Sequence, residues 1–267
     1  MVGSANIDFV ARCARLPRTG ETVSDATFAR IPGGKGANQA VAAARLGAHV
    51  SFVGRVGRDR LVLRSLEHEG VDVSGVRVDD GESGVALIVV DDSGENVIVV
   101  APGANARLRP EDVIVGDTDA VLCQLEIPID AVVAAADQAP FFCLNAAPAR
   151  PLPAELVRRA DLVVVNRYEF DALRQTPRLA ALTLGAEGAV LLEAGREVAR
   201  ALPPQIEAID GTAAGDAFCA ALLFYLIADG NREEALRRAC VAGALAASRL
   251  GAQPSLPTGA EVEVFRA

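Results

Sequence analysis

From residue 120 onward, short apolar runs alternate with stretches of helical period, and this rhythm restricts the possible folds more than any other feature. The apolar runs 120–125, 141–145 and 162–166 have the length of strands, and helical patterns separate them. Apolar strands that alternate with helices are typical of a parallel sheet covered by helices on both faces. We therefore predict an α/β fold of three layers.

Polar side chains stand at the carboxyl ends of these runs, namely Glu126, Asn145, and Asn166 with Glu169. In open parallel sheets, ligands bind in the crevice at the carboxyl ends of the strands. A single polar residue there is ordinary turn chemistry, but three groups at one edge favour a binding site.

A β-hairpin is predicted earlier in the chain, where the apolar runs 84–90 and 96–100 flank a short polar loop with a glycine. Both faces of this hairpin are apolar, although a small sheet can bury only one face over its own site. The other face needs a partner. With the extended segments nearer the N-terminus, the hairpin is expected to form a small accessory sheet.

No repeat, low-complexity tract or linker interrupts the chain. We therefore expect a single domain, 1–267, in which residues of about 5–32 and 77–103 form the small sheet. A hydrophobic content of 51% also excludes a disordered chain.

The stretch 210–216 consists mainly of small residues and leads directly into an apolar helical run. Such a helix start leaves backbone N–H groups unpaired and creates an anion site. Asp216 then has two interpretations. It complements the helix dipole, or it accepts a proton from a hydroxyl that attacks a bound phosphate while the amides hold the developing charge.

Two further stretches are suited to ligand binding, although neither decides the question alone. The glycine-rich segment 33–36 precedes a helical run that stops at Gly47, but its spacing is not that of a phosphate-binding loop. Asn6 and Asp8 alternate and would face the same side of an extended segment. The alternative for segment 33–36 is a flexible loop, and the alternative for Asn6 and Asp8 is turn chemistry.

Charge and cysteine content exclude several function classes. The net charge is −9 and no basic run is present, which argues against nucleic acid and anionic membranes as partners. The five scattered cysteines lack metal or redox spacing, so we expect a reduced, cytoplasmic protein. The apolar run 217–228 is too short to cross a bilayer, and no signal peptide is expected.

In order and along the whole chain, these stretches resemble the PfkB family of sugar kinases. The matching segments are 3–8, 33–43, 81–88, 94–98, 103–106, 124–126, 183–185, 210–218 and 251–255, with Asn166 and Glu169. The resemblance implies a doubly wound parallel sheet with a small β-sheet lid. It also implies ATP-dependent phosphoryl transfer to the 5-hydroxyl of D-ribose.

Two alternatives remain, one within the family and one outside it. The first is a kinase for another sugar or for a nucleoside. The second is a sugar-binding protein without turnover, but Asp216 argues against it because a binder has no use for a base.

The resemblance also implies roles for individual residues. The sugar hydroxyls would be held by Asn6, Asp8, Gly34, Lys35, Asn38 and Glu126. Asp216 would be the base, and the anion hole would consist of the amides of Ala213, Ala214 and Gly215. The side that binds ATP and Mg²⁺ would be lined by Asn166, Glu169, Thr183 and Gly185.

An activating K⁺ and a homodimer joined lid to lid are further implications. The K⁺ would be held by oxygens of Asp210, Thr212, Ala246, Arg249, Gly251 and Ser255. An ordinary helix C-cap at Gly251 is the alternative for the last part of this set.

The sequence departs from the family pattern at three places. Ala213 stands where the family usually has glycine, so a positive φ there is costly. The apolar strand that normally precedes Gly3 is missing, so a central strand is expected to be short or absent. Only residues 170–182 separate Glu169 from Thr183, which is near the minimum for a crossover between parallel strands.

Overall fold

The computed structural model describes residues 1–265, and within this range twelve strands and eight α-helices follow one another along the chain. The strands are β1 (Asn6–Cys13), β2 (Thr27–Gly33), β3 (Gly54–Val56), β4 (Val76–Val78), β5 (Gly84–Asp91), β6 (Asn96–Ala101), β7 (Val121–Cys123), β8 (Phe142–Asn145), β9 (Leu162–Asn166), β10 (Leu179–Thr183), β11 (Ala189–Glu193) and β12 (Arg196–Ala201). The helices are α1 (Lys35–Leu46), α2 (Leu61–His68), α3 (Ile129–Gln138), α4 (Ala154–Arg159), α5 (Arg167–Ala172), α6 (Ala214–Asp229), α7 (Arg232–Ala247) and α8 (Gly259–Val264). None of these helices combines the length and hydrophobicity that a membrane crossing requires.

The main sheet has six strands in the order β12-β11-β10-β9-β8-β7. Strands β7 to β10 are parallel, as the strand and helix rhythm predicts, and β11 and β12 extend the edge in antiparallel orientation. An antiparallel edge needs only tight turns, so the last two strands require no covering helix between them.

Both faces of the central strand β9 are buried. Leu162 and Val164 pack with residues of α1, α2, α6 and α7, whereas Val163 and Val165 pack with residues of α3 and α4. All four are apolar because helices cover the sheet on each side. The sheet is therefore the middle of three layers, which confirms the predicted fold class.

The start of the chain joins the main sheet to a separate parallel pair, β3 and β4. Val2 forms one parallel bridge to Cys123 of β7 and another to Val53, next to β3. Its N–H donates to the Leu122 carbonyl at 3.1 Å, and the N–H of Gly3 donates to the Val53 carbonyl at 3.0 Å. The central strand that was expected to be short or absent is thus reduced to a pair of bridges.

The small sheet has four strands in the order β2-β1-β5-β6, and β5 with β6 is the predicted hairpin. Strand β1 lies at its centre, antiparallel to β2 and parallel to β5, with Asn6 opposite both Gly33 and Gly84. The segment 76–78 pairs with β3 instead, so this part of the expected lid lies outside the small sheet.

The short crossover from β9 to β10 is complete. Helix α5 uses only six residues, yet β10 lies parallel to β9, with Thr183 opposite Asn166. A dozen residues between the strands are therefore enough here to return the chain from the carboxyl end of β9 to the amino end of the sheet, where β10 begins.

Candidate active site

The Asp216 carboxylate lies in the first turn of α6 and is held by two side chains of α1. Asn38 Nδ2 donates to Asp216 Oδ2 at 3.0 Å, and Gln39 Nε2 donates to Asp216 Oδ1 at 2.9 Å. Asp216 is 5% exposed. The predicted base and the predicted sugar ligand Asn38 are therefore adjacent, although 178 residues separate them in sequence.

Glu126 follows β7 and is tied to the N-terminus of α1. Its Oε2 accepts hydrogen bonds from the Ser4 hydroxyl at 2.5 Å and from the backbone N–H of Lys35 at 3.1 Å. The Ser4 hydroxyl in turn accepts from the N–H of Gly36 at 3.2 Å. A carboxylate at a helix N-terminus is stabilised by the unpaired amides and the helix dipole.

Strand β1 brings Asn6 and Asp8 from the small sheet to the same place, as their alternation predicts. Asn6 Oδ1 accepts from Asn105 Nδ2 at 2.7 Å. A Cβ at Gly33 would lie 2.1 Å from Asp8 Oδ2, and a Cβ at Gly34 would lie 2.7 Å from the Asn6 nitrogen. Both glycines are required because the chain passes so close to these polar groups.

The charges of this cluster interact strongly. Burial raises the pKa of Asp8 to about 7, and the negative charges of Glu126 and Asp216 add to the rise. Burial also raises the pKa of Asp216, against the ammonium of Lys35 and the amides that bind the carboxylate. The Asp216 carboxylate in turn raises the pKa of Lys35. One cation thus lies among three carboxyl groups.

Two acceptor atoms of the cluster have no protein partner. Among the described residues, four buried side-chain atoms lack a hydrogen bond, and Asp8 Oδ1 and Asn38 Oδ1 are two of them. Buried polar atoms are nearly always paired with protein, water or a ligand, so two unpaired acceptors at one place mark a position for a bound group. Because both atoms are acceptors, the ligand must donate hydrogen bonds, as the hydroxyl groups of a sugar do.

The backbone turns sharply at the start of α6. Ala213 is the N-cap in a left-handed conformation, with φ of 61°, and no side chain caps the helix. The Ala214 N–H donates to the Gly211 carbonyl at 3.2 Å, a long bond that an incoming phosphate oxygen can replace. This uncapped start is the position predicted for the anion hole.

Ala213→Gly is expected to stabilise the fold by about 1 kcal/mol, because an L-residue at positive φ is strained and glycine is not. Turnover is expected to stay within about twofold, since the N–H remains. Thermal unfolding and kcat of both proteins test this. Ala194→Gly is the matched control, because Ala194 also has positive φ but lies in the turn after β11. A lower melting temperature for Ala213→Gly would contradict the strain argument.

A cavity of about 780 Å³ adjoins the start of α6. Thr183 and Gly185, both predicted to contact a nucleotide, line it beside Gly211, Ala214 and Gly215. The apolar part of the wall includes Pro203, Ile206, Phe218, Cys240, Gly243, Ala244 and Ala247, which the sequence did not single out. A cavity with an apolar wall beside a helix N-terminus suits a ligand that carries both an apolar ring and phosphates.

Asn166 and Glu169 lie at the carboxyl edge of β9 but bind each other. Asn166 Oδ1 accepts from the Glu169 N–H, and Glu169 Oε2 accepts from the Asn166 N–H, each at 2.8 Å. This reciprocal cap starts α5. Burial raises the pKa of Glu169, while Lys35 opposes the rise, so the cap and the carboxylate cluster are electrostatically connected.

The residues predicted to hold K⁺ come from two segments that the structure brings together. Asp210 Oδ1 accepts from the Thr212 N–H and Oδ2 from the Gly251 N–H, each at 2.9 Å. The Ser255 hydroxyl donates to the Ala252 carbonyl at 2.8 Å. Within residues 1–265, no group of three or more His, Cys, Asp or Glu side chains is arranged to hold a metal ion.

Comparison with known proteins identifies the class of this fold and site. The sequence model of the pfkB family carbohydrate kinases matches residues 1–259, so the chain belongs to that family. Among its relatives, ribokinase of Bacillus subtilis is 38% identical, over 98% of this chain and 97% of that protein.

Solved structures of ribokinases are also similar to this chain. The ribokinase of Thermotoga maritima has a TM-score of 0.91 at 32% identity, over 99% of this chain and 97% of that chain. The ribokinase of Arabidopsis thaliana, solved as a complex with ribose and ATP, has a TM-score of 0.87 at 30% identity, over 98% and 96% of the two chains.

Proposed function

We propose that this chain is an ATP-dependent ribokinase, which transfers the γ-phosphoryl group of ATP to the 5-hydroxyl of D-ribose. One observation carries the proposal. The buried Asp216 carboxylate stands at the uncapped start of α6, next to unpaired oxygens of Asp8 and Asn38 that can accept hydrogen bonds from a sugar. The relatives that are named ribokinases, one of them complexed with ribose and ATP, support the choice of substrates.

The sugar is held by groups that accept hydrogen bonds from hydroxyls. Asp8 Oδ1 and Asn38 Oδ1 are buried and unpaired, and Asn6 and Glu126 lie beside them. The Lys35 ammonium at the start of α1 would donate to a sugar hydroxyl, and it offsets part of the negative charge of the carboxylates. Gly33 and Gly34 let the backbone approach closely enough for these contacts.

Asp216 accepts the proton of the attacking hydroxyl. Burial raises the pKa of Asp216 and so makes it a stronger base than an exposed carboxylate, while Lys35 and the two amides favour its ionised form. The amides of Ala213, Ala214 and Gly215 would stabilise charge on the transferring group. Bound ATP supplies the phosphoryl group, and Mg²⁺ offsets the charge of its phosphates.

The nucleotide fits the cavity that Thr183 and Gly185 line. Asn166 and Glu169 would take part on the Mg²⁺ side, by way of bound waters, since Mg²⁺ usually keeps several. The shortened segment 170–182 contributes no residue to the cavity wall, and α5 keeps its cap. A binding protein that has lost its nucleotide site is therefore the weaker alternative.

Rates of ADP release with ribose, deoxyribose, fructose and adenosine test the proposal. The expected order places ribose first in kcat/KM. A preference for fructose or adenosine would indicate another pfkB activity. No sugar-dependent release with any acceptor would contradict kinase function and favour the binding protein.

Activation by K⁺ is a further prediction, based on the link between Asp210 and the N–H of Gly251. A cation held by the carbonyls after α7 would fix the loop that leads to the anion hole. We expect KCl to raise kcat by about tenfold over choline chloride of equal ionic strength, with little change in the sugar KM. Equal initial rates in the two salts would remove the cation from the mechanism.

Homodimer formation through the small sheet is predicted from its outer strand. Residues 97–100 of the edge strand β6, and Leu87 beside it, are apolar and exposed. A second copy of the chain can cover this surface. Light scattering at micromolar concentration is expected to give the mass of a dimer, and Val99→Lys a monomer. Val198→Lys, on the exposed edge strand β12, is the control. A monomeric wild-type protein would contradict the prediction.

A cytoplasmic location is also proposed. All five cysteines of the sequence are buried and free, and none is paired in a disulfide. Such thiols suit a reducing compartment.

A further inference from the structure

A chain of three buried amide side chains ends at Asp216 Oδ1, the carboxylate oxygen that Asn38 does not bind. It consists of Gln39 on α1, Gln124 after β7 and Asn145 at the end of β8, and we call it the amide chain. Gln39 and Gln124 are fully buried, and Asn145 is 7% exposed. Fully buried amides are costly unless they are paired, and every amide oxygen and nitrogen of the three has a hydrogen bond except Gln124 Oε1.

The hydrogen bonds of the amide chain define the orientation of Gln39. Gln124 Nε2 donates to Gln39 Oε1 at 2.6 Å, so the Nε2 of Gln39 must face the opposite way. That nitrogen donates to Asp216 Oδ1 at 2.9 Å and to Asn145 Oδ1 at 3.0 Å. Each polar atom of the Gln39 amide is therefore used.

Asn145 is fixed in the same way from the sheet. Its Nδ2 donates to the Val164 carbonyl in β9 at 3.2 Å, which turns its Oδ1 toward Gln39. The Asp216 carboxylate is thus connected through neutral amides to three parallel strands. Asn38, in contrast, keeps a free acceptor for a ligand, so the neighbouring residues of α1 have different roles.

We propose that Gln39 is a positioning residue that fixes the rotation of the Asp216 carboxylate and keeps it a proton acceptor. Gln124 and Asn145 hold Gln39 in the donating orientation. None of the three amides titrates, so none of them competes with Asp216 for the proton of the attacking hydroxyl. This inference rests on the proposed kinase function and adds residues to the same site.

Two variants of Gln39 test the role. Gln39→Met keeps the length and removes both donors, and Gln39→Glu places a second carboxylate against Asp216. We expect kcat to fall about 10-fold for Gln39→Met and about 10²-fold for Gln39→Glu, the scale of a misplaced catalytic group. The sugar KM is expected to stay within about threefold, because Asn38 and Asp8 remain in place.

The pH profile separates positioning from packing. The groups that face Asp216 are Lys35 on α1, Glu126 after β7, Asp8 on β1 and Cys219 on α6 itself. Removing a donor from the ionised carboxylate raises its pKa. The acid limb of kcat should therefore move to higher pH in Gln39→Met and farther in Gln39→Glu.

The control is Gln138→Met in α3, a glutamine with hydrogen bonds to Val113, Ala134 and Val115. It is expected to lower stability without moving the acid limb. A second variant of the amide chain, Asn145→Ala, is expected to move the limb in the same direction as Gln39→Met, but less. It also serves if a Gln39 variant does not fold.

A titration of the Asp216 carboxyl carbon by ¹³C NMR, assigned with Asp216→Asn, gives the same answer without turnover. An acid limb and a carbon titration that coincide with wild type in the folded variants would overturn the proposal. Absence of sugar-dependent ADP release by the wild-type protein would instead overturn the proposed function.

Discussion

Replacing Asp216 with Asn is expected to lower kcat for sugar phosphorylation by about 10²-fold or more, the scale of general-base loss. The side chain keeps its size, but it can no longer take the proton of the attacking hydroxyl. Sugar affinity should change little, because the unpaired acceptors belong to Asp8 and Asn38. Steady-state kinetics and calorimetric titration with the sugar measure the two effects separately.

The control for this variant is Asp130→Asn. Asp130 also lies in the first turn of a helix, α3, but is exposed on the surface. If Asp216 only complemented the helix dipole, both variants would lose about 0.3–1 kcal/mol of stability and keep their turnover. Retained turnover in Asp216→Asn would therefore restore the dipole interpretation.

Gly33→Ala is expected to raise the sugar KM by about 10-fold to 10²-fold, the value of one or two hydrogen bonds to a charged group. The added Cβ would lie 2.1 Å from Asp8 Oδ2 and would push the carboxylate from its place. The kcat at saturating sugar should fall less, since Asp216 and the start of α6 are untouched.

Gly116→Ala is the matched control, because a Cβ there meets nothing within 4 Å and the backbone needs no positive φ. Its KM and melting temperature should equal those of the wild type. A Gly33→Ala protein with an unchanged sugar KM would show that Asp8 does not contact the sugar.

The layers of the fold were predictable because they follow from local patterns. Strand β9 is apolar at each covered position, and the β5 and β6 runs flank an obvious turn. The central bridges at Val2 were not visible as a strand, since one residue carries no period. Its central position was an implication of the family resemblance, and the bridges of Val2 to Val53 and Cys123 show it in the structure.

The site was predictable where residues lie close in sequence or match the family pattern. Asp216, Lys35 and Asn38 belong to such segments, and the structure places them together. The contact of Gln39 with Asp216 was not predictable from spacing, because 177 residues separate the two. Its only signal was its position beside Asn38.

The polar edge of the sheet shows a different limit. Asn145 was correctly expected at the carboxyl edge, but its polarity did not distinguish a ligand contact from support of Gln39.

The apolar wall of the cavity, including Gly243 on α7, carried no signal because small residues are common in buried helices. Such features depend on which helix faces which, and periodicity does not contain that information.

The central claim is phosphoryl transfer from ATP to a sugar hydroxyl, and ³¹P NMR of a single reaction tests it most directly. The wild-type protein is mixed with ATP, Mg²⁺, KCl and D-ribose, and a parallel sample contains Asp216→Asn. In the wild-type sample we expect a phosphomonoester signal that is coupled to the C5 methylene protons and grows in step with ADP. The Asp216→Asn sample should show no such signal over the same time. Unchanged ATP, or ATP converted to ADP and inorganic phosphate without a sugar phosphate, would contradict it.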